Sequence, residues 1–441
     1  MSRQLFGTDG VRGRAGRFLT AELAVALSRA TVELASEGHP KVLVVRDTRE
    51  SGQMLEAAIA AGVTEAGGDV LLGGVLPTPA APLLVRRHGF DLAVVISASH
   101  NPYEDNGIKF FAADGFKLSD ETELAIERRM SEPARGADRI GWIRPLDSAA
   151  DEYVGALQSR FAGLDLRGAR ILLDCANGAT HRVAPEVFRR LGAEVDVIAD
   201  EPDGRNINDG VGSTHIETLA ERMTTGGHDA GFAFDGDGDR VLAVDSGGQT
   251  VDGDELMALV AVHLKALGRL DGGGVVVTVM TNYGFHTAMS EAGIEVSTTA
   301  VGDRYVNEEL RRRGWCLGGE QSGHIIDLSF GPSGDGIASA LLTMEALAGA
   351  NLCERRTMRK LPQKLVNIRA ASRDALSAAM LTPAVNDAIA GAEAKLDGRG
   401  RVLVRVSGTE PLIRVMVEAP SQEETDDLCS GIAAVVEATL G

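Results

Sequence analysis

Short apolar runs alternate with helix-like segments three times along this 441-residue chain. Each time the third apolar run ends in a polar loop rich in glycine or serine, and a fourth run follows it. That order predicts sheets with parallel pairings, helices packed on them, and the loops at strand ends. In the first copy the strands are expected at 41–46, 69–72, 91–96 and 107–111, with helices near 20–34, 54–66 and 79–88. The second has strands at 170–174, 194–198, 229–234 and 241–245, and helices near 184–191 and 216–223. The third has strands at 274–279, 294–297, 315–317 and 325–328, and helices near 285–291 and 303–313. The last part breaks the pattern: strands at 401–406 and 412–417 flank Ser-Gly-Thr-Glu-Pro, and a helix closes at 423–440. The fold class expected is α/β: three similar units with mixed sheets at 1–150, 151–246 and 247–365, then a smaller α+β unit at 366–441.

Charge narrows the partners. With 44 Lys and Arg against 63 Asp and Glu, the net charge is −19. Such a surface argues against nucleic acid or an anionic membrane, so any anionic substrate needs a local basic cluster. The first residues, MSRQLFGTDGVRG, hold no apolar signal core, and no uninterrupted apolar window approaches a membrane span, which predicts a cytoplasmic protein. Cys175, Cys316, Cys353 and Cys429 show no CxxC spacing and read as reduced thiols.

The polar loops carry the chemistry. In Ile96-Ser97-Ala98-Ser99-His100-Asn101-Pro102 a buried strand ends on a stiff turn bearing hydroxyls, although turns of this kind also serve only to reverse the chain. Asp235, Asp237 and Asp239 alternate with Gly236 and Gly238, so three carboxylates can converge on one hard cation. An EF-hand is excluded, because Arg240 stands sixth and Ser246 twelfth, where that loop needs glycine and glutamate. Arg240 beside the carboxylates suits Mg²⁺ shared with a phosphate. Glu320, Ser322 and His324 lie on the glycine-rich turn 318–324, with groups that can bond sugar hydroxyls. Arg405, Ser407, Gly408, Thr409 and Arg414 surround the last turn and suit a phosphate monoester. Thr8 and Arg12, in Gly7-Thr8-Asp9-Gly10-Val11-Arg12-Gly13, are assigned to the substrate side.

Taken together, GTDGVRG, SASHNP, DGDGDR, GGEQSGH and RVSGTEPLIRV, in this order, resemble the α-D-phosphohexomutase family over essentially the whole chain. GEQSGH and Val301-Gly302-Asp303-Arg304-Tyr305-Val306 are similar to its bacterial amino-sugar branch. The resemblance implies four domains around a central cleft, with Ser99 as a phosphoserine that donates and reaccepts a phosphoryl group. It implies Mg²⁺ held by Asp235, Asp237, Asp239 and the Ser99 phosphate, with Lys109, Arg240 and His100 beside the transferring group. Glu320, Ser322 and His324 match the sugar loop; Arg405, Ser407, Gly408, Thr409 and Arg414 match a distal phosphate site. The implied reaction interconverts glucosamine 6-phosphate and glucosamine 1-phosphate through a 1,6-bisphosphate, which also primes the enzyme. Mannose or glucose phosphates, and a Mg²⁺-dependent phosphatase, remain alternatives, and the proton acceptor stays open between Lys109 and His324. A homodimer and an activating phosphorylation of Ser99 complete the expectation.

Overall fold

The computed structural model describes residues 4–35, 38–369, 376, 379–406 and 411–440. Its described strands form sheets of six, five, four and three strands. In the first sheet Lys41–Arg46 pairs in parallel with both Asp69–Val75 and Leu92–Ile96, and Leu92–Ile96 pairs antiparallel with Asp105–Ala112. In the second, Arg170–Asp174 lies parallel between Glu194–Ile198 and Ala230–Phe234, and Ala230–Phe234 pairs antiparallel with Val241–Asp245. The third repeats this with Gly274–Thr278 between Glu295–Thr299 and Leu317–Gly319, and Leu317–Gly319 antiparallel to Ile325–Asp327.

Counted within each unit, the strand order is the same every time: fourth, third, first, second. The threefold repeat is therefore real at the level of topology. In every unit the polar loop is the hairpin connection from the third strand to the fourth. Its start lies at the carboxyl end of a parallel strand, where α/β sheets place their ligands. Leu92–Ile96 and Ala230–Phe234 are buried throughout, which explains why they read as unbroken apolar runs.

Several expectations shift. The second strand of the first unit continues past residue 72 to Val75, through Gly73 and Gly74. The third strand of the third unit is Leu317–Gly319 rather than 315–317, and Trp315, buried before it, receives Arg313 on its ring at 4.5 Å. Val11–Arg14 adds an antiparallel edge strand against Asp105–Ala112, and so carries Asp9 and Arg12 to the first sheet. Helices Gly253–Ala266 and Gly336–Leu347 were not expected; each begins on an aspartate, Asp252 or Asp335, whose side chain accepts a backbone N–H.

Chain contacts divide the molecule into two compact units, Met1–Met280 with Ile294–Arg355, and Thr281–Gly293 with Arg356–Gly441. The second contains the antiparallel sheet Gln363–Arg369, Leu412–Glu418, Arg401–Val406, with Leu412–Glu418 central. Helices Pro383–Leu396 and Gln422–Leu440 cover it around Ile413, Val415, Val417 and Ile432. No described helix is long and apolar enough to cross a membrane.

Candidate active site

The loop of the first unit turns on Ser99, whose φ of 53° lies in the left-handed region, uncommon for a residue with a Cβ. Such a conformation persists only where the surroundings over-determine it. Here they do. The Ser99 N–H donates to Ser97 Oγ at 2.9 Å, and the Ser97 hydroxyl donates to Asp47 Oδ2 at 2.6 Å. The Ser99 carbonyl accepts Arg49 Nη2 at 2.8 Å and Asn208 Nδ2 at 3.0 Å. Arg49 also donates to the carbonyls of Asn101, Pro102 and Asp105, while its Nε holds Asp47 at 2.8 Å.

The Ser99 hydroxyl, itself buried, donates to Asp235 Oδ2 at 2.5 Å across 136 residues of chain. Gly236 permits the approach, since a Cβ there would stand 2.7 Å from the Ser99 carbonyl oxygen. Asp237 Oδ2 accepts Lys109 Nζ at 2.8 Å and Thr78 Oγ1 at 2.6 Å. Asp239 lies 3.5 Å from His324 Nδ1, 3.8 Å from Lys109 Nζ and 3.7 Å from Arg240 Nε.

Electrostatics follow from this crowding. Burial, and then the Asp239 and Asp237 charges, push the Asp235 carboxyl well above its usual range. Burial would raise Asp239 too, but His324, Lys109 and Arg240 outweigh it and hold that carboxyl low. Lys109 is pulled down by burial and up by Asp237, Asp9 and Asp239; the carboxylates win, and it stays protonated. Burial, then Arg240 and Arg12, lower the His100 imidazole, whose Nδ1 is 3.4 Å from Ser99 Oγ. Burial opposes charge on His324, yet Asp239 and Asp303 raise it to about 9. The Gly334 N–H donates to His324 Nε2 at 3.2 Å, so a proton on Nε2 must displace that bond.

The oxygens of Asp235, Asp237 and Asp239 lie within 4.8 Å of one another, all on buried residues. Asp237 Oδ1 and Asp239 Oδ1 are buried without a hydrogen-bond partner. An all-oxygen donor set with two unsatisfied buried acceptors fits a hard divalent cation. The three carboxylates could therefore hold such an ion together.

Other expected residues arrive differently. Arg12 is carried in by the edge strand, pairs with Asp9, and reaches the Ala98 carbonyl at 3.4 Å. Thr8 is exposed. Glu320 is half-buried, and its Oε1 accepts the Gly302 N–H at 3.0 Å; Ser322 is exposed. Gly323 has φ 89°, and a Cβ there would strike the Val241 carbonyl, whose own N–H donates to the Gly323 carbonyl at 3.1 Å. The turn 318–324 thus rests on the strand that leaves the carboxylate loop. Arg405 and Arg414 face each other across the antiparallel pair Arg401–Val406 and Leu412–Glu418, and Ser407, Gly408 and Thr409 lie outside the described residues.

Asp47, Arg49, Thr78 and Asn208 were missed. Asp47 and Arg49 follow a predicted strand directly, the same position that draws attention to Ser97 and Ser99, so the signal was available. Thr78 and Asn208 carry none, because their partners are more than a hundred residues away.

Comparison with known proteins agrees with this geometry. Four family patterns described as "Phosphoglucomutase/phosphomannomutase" match in turn: "alpha/beta/alpha domain I" at residues 3–136, "domain II" at 151–248, "domain III" at 252–367 and the "C-terminal domain" at 365–435. The phosphoglucosamine mutase of Moorella thermoacetica is 50% identical over 98% of this chain and 99% of its own. That of Caldicellulosiruptor bescii is 48% identical over 99% of each. A crystal structure of a phosphoglucomutase/phosphomannomutase family protein from Burkholderia thailandensis superposes with a TM-score of 0.83 at 26% identity, over 100% of this chain and 98% of that one. With its domains in the family order and full-length relatives at half identity, the chain belongs to the phosphoglucomutase/phosphomannomutase family.

Proposed function

We propose that the protein interconverts glucosamine 6-phosphate and glucosamine 1-phosphate, with Ser99 as the phosphoryl carrier. The observation that carries this is the Ser99 hydroxyl held 2.5 Å from a carboxylate of the buried three-aspartate cluster. A binding protein has no need of a strained, buried hydroxyl there. The preference for an amino sugar is supported by full-length relatives named phosphoglucosamine mutase at 48–50% identity.

The bond from phosphorus to Ser99 Oγ breaks as the sugar O1 forms one and loses its proton, which Ser99 Oγ gains, giving the 1,6-bisphosphate; the second transfer returns a proton from Ser99 Oγ to the sugar O6. The O6 phosphoryl group then returns to Ser99 Oγ, leaving the 1-phosphate. A loose transition state asks for positioning and charge neutralisation above all. Mg²⁺ held by Asp235, Asp237 and Asp239 with the Ser99 phosphate would draw charge from the phosphoryl oxygens. Lys109, fixed between Asp237 and Asp9, and Arg240, beside Asp239, supply positive charge around the transferring group. Lys109 is assigned the role of a cation, on its pairs to Asp237 and Asp9. His100 lies against the carrier hydroxyl, and Glu320, Ser322 and His324 are assigned to the sugar. Arg405 and Arg414, opposite each other on one strand pair, are assigned with Ser407, Gly408 and Thr409 to the non-transferring phosphate, a group that guanidinium forks suit. Thr8 and Arg12 are placed on the substrate side. A 1,6-bisphosphate primer, activating phosphorylation of Ser99, a cytoplasmic location and a homodimer go with this proposal.

The test is a side-by-side assay of glucosamine, mannose and glucose 6-phosphates, each primed with its 1,6-bisphosphate and Mg²⁺. Fastest isomerisation of the glucosamine ester is expected, with little free phosphate; preference for mannose 6-phosphate, or release of phosphate to water, would overturn the assignment. Ser99→Ala should abolish turnover while leaving the fold intact.

A further inference from the structure

Five charged side chains of alternating sign, with the His324 imidazole between the two ends, close on themselves around the carboxylate cluster. Lys109 Nζ is 3.8 Å from Asp239 and 3.0 Å from Asp9 Oδ2. The other oxygen of Asp9 pairs with Lys117, and Lys117 Nζ is 2.5 Å from Asp303 Oδ2. His324 completes the circuit, with Nε2 3.8 Å from Asp303 and Nδ1 3.5 Å from Asp239. Asp9, Lys109, Asp239, Asp303 and His324 belong to segments already described. Lys117 is the sixth, and no motif marks it.

Lys117 is well placed to transmit position. Its backbone bridges to Phe111 on the strand Asp105–Ala112, and the turn between them is closed by Ala112 N–H donating to the Phe116 carbonyl at 2.8 Å. The ammonium group thus projects from a sheet-anchored segment. Asp303, its partner, opens the helix Asp303–Arg313, directly after Gly302, whose N–H donates to Glu320 Oε1. The neighbouring Arg304 makes a second clasp of opposite polarity to the same region, pairing with Asp120 and with Glu123 at 2.8 Å. Asp303 and Arg304 therefore meet Lys117, Asp120 and Glu123 as a complementary charge pattern.

We propose that Lys117 is a positioning residue: by clasping Asp9 and Asp303 together it holds the Gly302–Asp303 turn, and through that turn Glu320 and His324, in register with the carboxylate loop. Removing the cation leaves the Asp9 and Asp303 carboxylates facing each other, and their repulsion opens the clasp. The kinetic part of the test rests on the mutase assignment above; the structural part does not.

The experiment compares Lys117→Met, Lys117→Gln, Lys117→Arg, Asp303→Asn and the Lys117→Met/Asp303→Asn double variant of the full chain. Hydrogen exchange should quicken in peptides covering 300–305 and 318–325 for the Met and Gln variants, stay near wild type for Arg, and not change at 230–234. In the mutase assay, KM for the sugar phosphate should rise roughly tenfold for Met, more than kcat falls, a size typical of contacting charges. The double variant should recover part of that loss, because Asp303→Asn removes the charge repulsion between the two side chains while the Lys117 contacts stay lost. Unchanged exchange in both 300–305 and 318–325, an Arg variant as impaired as Met, or strictly additive losses would each overturn the proposal. Should Met fail to fold, Gln and the double variant decide it. A wild-type protein that isomerises no hexose phosphate would defeat the mutase assignment, and the exchange data would still decide the clasp.

Discussion

Arg49 donates to the backbone carbonyl of Ser99 at 2.8 Å from a side chain wholly withdrawn from solvent. Its guanidinium gathers, with one rigid fork, carbonyls of the tight turn from Ser99 to Asp105. The left-handed Ser99 is thereby held with its hydroxyl on the carboxylate cluster. Arg49→Lys keeps the charge but not the fork, so turnover should fall by more than the modest loss of stability explains. Arg49→Met strands buried Asp47 without its cation and should cost about 3–5 kcal/mol of stability. Thermal unfolding read beside initial rates separates the two outcomes.

Asp237→Asn preserves shape and removes one charge from the cluster, leaving the unsatisfied Oδ1 position as a poorer ligand. Affinity for Mg²⁺ or Mn²⁺ should fall by roughly 10–100-fold or more, as for losses around other metal sites. Titration calorimetry on the purified variant measures this directly. Lys109 loses its nearest anionic partner in the same variant, so the protein should also melt earlier.

Gly236→Ala inserts a methyl group 2.7 Å from the Ser99 carbonyl oxygen, so either the serine turn or the carboxylate loop must retreat. A stability loss of about 1–3 kcal/mol is expected from overpacking of this kind. The larger effect should be on turnover, because the displaced contact is the one between Ser99 and Asp235. A variant with wild-type kcat would show that this distance is not demanding.

Acid should strengthen one part of the fold. Burial raises the Asp335 carboxyl to about 6, against which the Ala338 N–H and the Tyr153 hydroxyl, 2.9 Å from Oδ2, pull only partly. Its folded pKa lies above the usual value of 3.8, so the native state binds the proton more tightly than the unfolded chain. This contribution is favourable below pH 3.8, and is lost as pH rises to about 6. Asp335→Asn cannot ionise, so its stability relative to wild type should improve across that interval and level off above it. Urea midpoints at several pH values provide the check.

Much of the architecture could be read from the chain because its strands are short and buried on both faces. Leu92–Ile96 and Ala230–Phe234 stand out as apolar runs, and the polar loops are conspicuous against them. The three-aspartate cluster was legible for the same reason, with its glycines alternating between the carboxylates. Edge strands were not. Ile143–Pro145 and Thr250–Val251 are too short for periodicity, and Gln363–Arg369 alternates half-buried with exposed side chains so that its apolar signal is thin. The helix starting at Gly253 announces itself through Asp252 and Glu255, a capping box that was there to be noticed. In the candidate site, the residues assigned chemistry were visible, and those that hold them in place were mostly not. Asn208 and Thr78 act on carbonyls or carboxylates that only tertiary folding brings near.

The three hairpin loops also bear on how such a chain can change. Each is pinned at both ends by paired strands whose register is set by burial, so a loop cannot slide to absorb an added residue. Shifting one flanking strand by a single position would turn its core face outward. Substitutions within the loops leave those ladders untouched. Divergence in this architecture should therefore proceed by exchanging side chains at constant loop length, one hairpin at a time, while insertions collect in the helical connections on the far side of each sheet.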